Sequence, residues 1–237
     1  MNERLDSYRF GNGANTIGGA SDVVVRNRVL RNTYWLLALS MVPTVLGAWL
    51  GVATGFTMVA GSPGLSLILF LGIAFGFFYA IEKTKNSGWG VVLLLAFTFF
   101  MGLMLSRLIG VTLRFSNGPE LIMYAFGGTA AVFATMATIA TTSKRDFSGM
   151  TKFLMVGAIM LLLAGIANIW LQLPSLMIVF SLIAIAIFSA FMLVDVQRVV
   201  NGGETNYVTA TLAIYLDVYN VFTNLLALLG IFGGNRD

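Results

Sequence analysis

Neither cysteine nor histidine occurs anywhere in the 237 residues. The first absence removes disulfides and thiolate metal sites. The second removes the side chain that ordinarily titrates near neutral pH and the commonest metal ligand. Any response to protons must therefore come from carboxylates. Charge is scarce as well: 10% of the residues are Asp, Glu, Lys or Arg against 58% hydrophobic, and the mean hydropathy is +0.88. Too little polar surface remains to cover a soluble globule, so the chain belongs in a membrane. The N-terminal stretch MNERLDSYRFGNGANTIGGASD has no apolar core of signal-peptide type, which leaves the first membrane helix to direct insertion. No serine stands with a base, and there is no metal cluster and no phosphate loop; this argues against an enzyme and against a bound cofactor. The net charge of +4 lies mostly at the flanks of apolar segments, as membrane orientation requires, rather than on a nucleic-acid surface.

What is present is a series of apolar runs, and the last of them organises the rest. From about Val208 to Phe232 the chain reads VTATLAIYLDVYNVFTNLLALLGIF, some 25 residues or roughly 37 Å of helix, more than the roughly 30 Å of hydrocarbon. Near its middle stands Asp217. A carboxylate there costs on the order of 3 kcal/mol on insertion scales, so it needs a partner, a proton or a water-filled cavity. Asn220 and Asn224 share its helical face, which makes a polar stripe. Such a stripe serves either as an inward-facing pathway or as a set of interhelical hydrogen bonds.

Six further spans precede it, at about Thr33–Val52, Leu65–Ile81, Gly88–Ile109, Leu121–Thr141, Phe153–Leu171 and Leu176–Val200. Pro43 is a candidate kink in the first. Residues 1–27, polar and Gly-rich, are expected to be a flexible tail, and residues 28–237 a single seven-helix domain. Seven spans put the termini on opposite faces. One face collects Arg4, Arg9, Arg26, Arg28, Arg31, Lys83, Lys85, Lys144, Arg145, Lys152 and Arg198; the other has Arg107, Arg114 and Arg236. This bias predicts a cytoplasmic N-terminus and a periplasmic C-terminus. Gly102, Gly127, Gly128, Gly157 and Gly165 are expected to let helices approach closely.

A second acid, Asp195, lies late in the sixth span, 22 residues before Asp217. Spans six and seven are antiparallel neighbours, with Asp195 roughly 7 Å from the end of one and Asp217 about 14 Å from the start of the other. If tilt closes this difference of about one turn, the two carboxyls share a dry site, cannot both ionise cheaply, and titrate as a unit. If not, Asp195 pairs with Arg198 at the interface. Arg107 is expected to snorkel to the outer surface, and Asn168 and Gln172 to tie helix ends.

The runs LVDVQRVV and GGETNYVTATLAIYLDVYNVFTNLLALLG resemble the C-terminal signature of the Bax-inhibitor family of seven-helix membrane proteins. VLRNTYWLLALS, FGGTAAVF, TTSKRDFSGM and ANIWLQLPSL extend the resemblance from about Arg28 onward, toward its bacterial YccA branch. The resemblance implies an all-α bundle in which the seventh helix is central and six wrap around it, in the bacterial inner membrane. For members with the acidic pair it implies a di-aspartate switch on a proton-sensitive Ca²⁺ leak, with Asp195 and Asp217 at the matching positions. The Arg-rich latch of those members reads EKTKNSG here, so Lys83 or Lys85 would have to substitute. For the YccA branch it implies binding to the membrane ATP-dependent protease FtsH as a slow substrate that limits it. The N-terminal segment would then be what the ATPase grips.

Overall fold

The computed structural model describes the backbone of residues 3–56 and 62–234, and side chains from Val24 onward other than that of Pro174. It consists of α1 (Glu3–Thr54), α2 (Pro63–Thr84), α3 (Gly88–Thr112), α4 (Gly118–Thr142), a 3-10 turn at Ser148–Met150, α5 (Thr151–Leu171), α6 (Pro174–Val200) and α7 (Tyr207–Gly233). All seven helices are long and apolar enough to cross a membrane, α1 by its described part, Val24–Thr54.

The boundaries follow from local chemistry. Proline occupies the first turn of α2, α4 and α6, where its missing N–H leaves no helical bond unmade. Asn206 caps α7 by accepting from the Val208 and Thr209 amides. Gln172 ends α5 in the left-handed region, at φ 51°. Asn168 reinforces that end by accepting from the Leu173 amide, as expected of it. α1 continues through Pro43 as one helix.

Val29 is buried against Val199 and Ala210, so the basic stretch around it is held along the ends of α6 and α7. For the tail expected over residues 1–27, the backbone of α1 is helical from Glu3 and Val24 to Arg28 are exposed, while the side chains of residues 1–23 lie outside the described residues.

Two glycines bring α1 and α3 together. A Cβ on Gly102 would stand 2.1 Å from the Thr44 carbonyl oxygen, and one on Gly47 2.2 Å from that of Phe99, so neither position accepts a side chain. Gly127 and Gly165 correct the expectation made for them. A Cβ on either would meet open space, so they do not serve helix packing within the chain.

α7 packs against α1, α2, α3, α4 and α6. The expectation of six helices around one is corrected to five: α5 stands outside this group, packed on α6, with no buried residue among those described. The main core cluster draws on α1, α2, α3, α4, α6 and α7, and within it Ile81, Leu94, Phe97, Ile214 and Tyr215 are closed off from any surroundings. The outward faces carry large apolar side chains, Phe153 81% and Trp35 73% exposed among them, a surface suited to lipid.

Candidate functional site

Asp217 is 4% exposed, two turns and more into α7, and Asp195 is half-buried on α6. Their carboxyls face one another at hydrogen-bonding range. The one-turn difference in depth closes because Cα–Cβ bonds tilt toward a helix's N-terminus. In antiparallel α6 and α7 those tilts lean Asp195 and Asp217 toward each other. Two carboxyls can be joined by a hydrogen bond only when one of them carries a proton. Asp217 Oδ2 is buried and has no hydrogen-bond partner among the described residues.

The surrounding charges are few. Arg198, one turn beyond Asp195 and exposed, attracts its carboxylate through space, and Glu204 repels it; neither forms a direct ion pair with it among the described residues. Lys83 and Lys85 do not come to the acidic pair. Lys85 is bound to Glu82, and the Lys83 ammonium lies 4.7 Å from the centre of the Tyr79 ring. The substitute latch expected of them is thus corrected. The helical register of α2 turns both toward its own surface acid and ring. Arg107 is exposed near the far end of α3, the position expected of a snorkelling side chain.

Asn220 and Asn224 share the face of Asp217 but make no hydrogen bond across helices among the described residues. Asn220 donates to the Leu216 carbonyl and Asn224 to that of Asn220, each one turn back on α7. The interhelical reading of this stripe is replaced by local back-bonding. Cross-ties of α7 include Thr211, whose hydroxyl lies 3.3 Å from the Thr33 carbonyl oxygen, and two tyrosines that read in the sequence as part of its apolar body. Tyr215 hydroxyl lies 2.9 Å from Thr44 Oγ1 and 3.4 Å from the Thr98 carbonyl oxygen. Tyr219 hydroxyl donates to the Met101 carbonyl at 3.2 Å. Their spacing of four residues was the available signal; on a helix it puts both phenols over α1 and α3.

Two amides hold the loops at the basic end against this centre, and sequence reading missed both. Gln197, two residues after Asp195, accepts from the Phe147 amide and donates to the Arg145 carbonyl, so one side chain pins the α4–α5 loop. Asn206 donates to the Lys85 carbonyl and to Asn86 Oδ1 while capping α7, which ties down the α2–α3 loop.

The pair cannot hold a metal ion firmly by itself. Ca²⁺ takes six to eight oxygen ligands, whereas this site offers two carboxyls, and no group of three or more acidic ligands occurs among the described residues.

With this geometry in place, three comparisons bear on identity. The sequence model of the family described as "Inhibitor of apoptosis-promoting Bax1" matches residues 26–234. A membrane protein of Vibrio cholerae is 36% identical over 209 residues, 88% of this chain and 92% of the relative. The Escherichia coli K12 protein named "Modulator of FtsH protease YccA" is 36% identical over 204 residues, 86% of this chain and 90% of its own length.

Proposed function

The chain belongs to the Bax inhibitor family, and from that membership we propose that it is a YccA-like protein of the inner membrane that binds an FtsH-type membrane protease and restrains it as a slow substrate. The observation that carries the reading is the near full-length similarity to a relative named as a modulator of that protease. The physics of the bundle supports it. An ATPase that pulls from one end must first separate α1 from α3, which interlock through Gly47 and Gly102, and then strip α1 from α7 at the Thr44–Tyr215 contact. In this reading the N-terminus is cytoplasmic, the C-terminus periplasmic, and residues 1–27 are the grip. Deleting residues 2–20 tests it in membranes that contain the protease. Degradation of the truncated chain should slow and the protease's other substrates should turn over faster; unchanged rates for both remove the proposed grip.

One observation favours a second reading. The contact between Asp195 and the buried Asp217 is suited to a proton-sensitive gate for a cation leak of Ca²⁺. Two ligands give only transient binding, as conduction requires. In proteoliposomes Asp217→Asn should change Ca²⁺ flux or its pH dependence far more than Glu204→Gln. Equal effects of the two, or no flux in the parent protein, sink this reading.

A further inference from the structure

α1 and α4 approach one another less closely than either approaches α7, and the Tyr34–Phe133 ring contact joins them at one end. Between them lies a cleft floored by Tyr215, Val218, Tyr219 and Phe222 of α7, in two lobes of about 490 Å³ each that share Thr44, Val45, Leu105, Phe126 and Phe222. The cleft follows α1 from Tyr34 to Val52 and α4 from Ala137 to Pro119, 18 residues on each, or about 27 Å. Its walls open sideways, since Val45 is 65% and Phe126 62% exposed. It is therefore an apolar furrow that runs the depth of the hydrocarbon and faces the bilayer.

The lobe at the basic end is distinctive. It runs from Tyr34 to Val45 on α1, 11 residues or about 17 Å, which matches the roughly 15 Å of hydrocarbon in a single leaflet. The hydroxyls in its lining are turned inward: Thr44 meets Tyr215, Thr129 bonds the Ala125 carbonyl and Tyr219 the Met101 carbonyl. Tyr34 is the exception, with no hydrogen bond from its hydroxyl among the described residues. Its ring meets Phe133 edge-on at 6.0 Å, the one bridge between α1 and α4 at this end among the described aromatic contacts. One turn above Tyr34 stands Arg31, and Lys144 and Arg145 follow the C-cap of α4. All three are exposed, and none is in an ion pair among the described residues. Asp146, the acid of that loop, is engaged by the Ser148 amide and hydroxyl.

We propose that this lobe is a binding site for one acyl chain of an anionic phospholipid, whose headgroup lies between Arg31 and Lys144 with the Tyr34 hydroxyl as donor. The observations choose this occupant over a protein helix. A helix is about 10–12 Å across with its side chains and needs the whole length of the furrow, but the Tyr34–Phe133 pair crosses it at the basic end. A flexible chain passes beside that pair, and its charged head meets unpaired cations.

Native mass spectrometry of the full chain, extracted from bilayers of phosphatidylglycerol mixed with phosphatidylcholine, tests the site. The parent protein should retain one phosphatidylglycerol. Ala38→Phe and Ala130→Phe fill the furrow from opposite walls at exposed positions, and each should abolish retention without lowering the melting temperature. Arg31→Gln and Lys144→Gln should each weaken retention of phosphatidylglycerol about fivefold, since a basic group near an anionic headgroup contributes about 1 kcal/mol, and should leave phosphatidylcholine unaffected. Leu163→Phe on the outward face of α5 should change nothing. Retention by the two Phe variants equal to that of the parent, or a dimer of the chain in place of a retained lipid, overturns the proposal. So does a parent protein that keeps both lipids alike.

Discussion

Replacing Asp217 separates the two jobs a buried carboxyl can do. In Asp217→Asn the shape is kept, and the amide can donate to the Asp195 carboxylate, so the contact between α6 and α7 survives without a shared proton. Asp217→Leu leaves Asp195 facing a methyl group. Stranding a buried polar partner in this way costs about 1 to 3 kcal/mol. For a chain of this size each kcal/mol moves the melting temperature by about 2 to 4 °C, so the Leu variant should melt roughly 2 to 12 °C below the parent and the Asn variant within about 2 °C of it or above. Thermal unfolding in detergent, followed by size-exclusion fluorescence, reads both. A Leu variant as stable as the parent would mean that the carboxyl contact contributes nothing to the bundle, and one more stable would place Asp217 at a lipid-facing surface. Either outcome refutes the reasoning.

Gly102→Val should force α1 from α3 at the 2.1 Å approach to the Thr44 carbonyl and cost about 1 to 3 kcal/mol by overpacking, whereas Gly127→Val, in open space, should be near neutral; melting temperatures compare them. Gln197→Ala removes both bonds that pin the α4–α5 loop, and trypsin should then cut at Lys144 or Arg145 several times faster at an unchanged global melting temperature. Outside the membrane, the Ser148 amide and hydroxyl hold the Asp146 carboxyl below the usual carboxylate value of 3.8. Because the folded value is the lower one, the order this turn gains is complete above about pH 3.8 and is lost as pH falls through the folded value; a carboxyl titration by NMR should show the Asp146 midpoint rise in Ser148→Ala.

Hydropathy alone determined the seven spans, because each segment must satisfy its backbone within itself to cross lipid, and that demand is local. For the same reason the turn prolines and the two intramembrane acids stood out as single residues. What the sequence could not decide was which faces meet. The partnership of Asp195 with Asp217 depended on the opposed tilt of Cβ atoms on antiparallel helices, and the separation of Lys83 and Lys85 from that pair on the register of α2. Glycines look alike in a sequence, yet Gly102 lies in a crossing and Gly127 faces empty space. Asn220 and Asn224 were legible as a stripe, but whether an amide bonds across a helix pair or back along its own helix is settled by how near the neighbour stands. The furrow between α1 and α4 has no sequence signal at all, since a gap is a property of two surfaces and not of either alone.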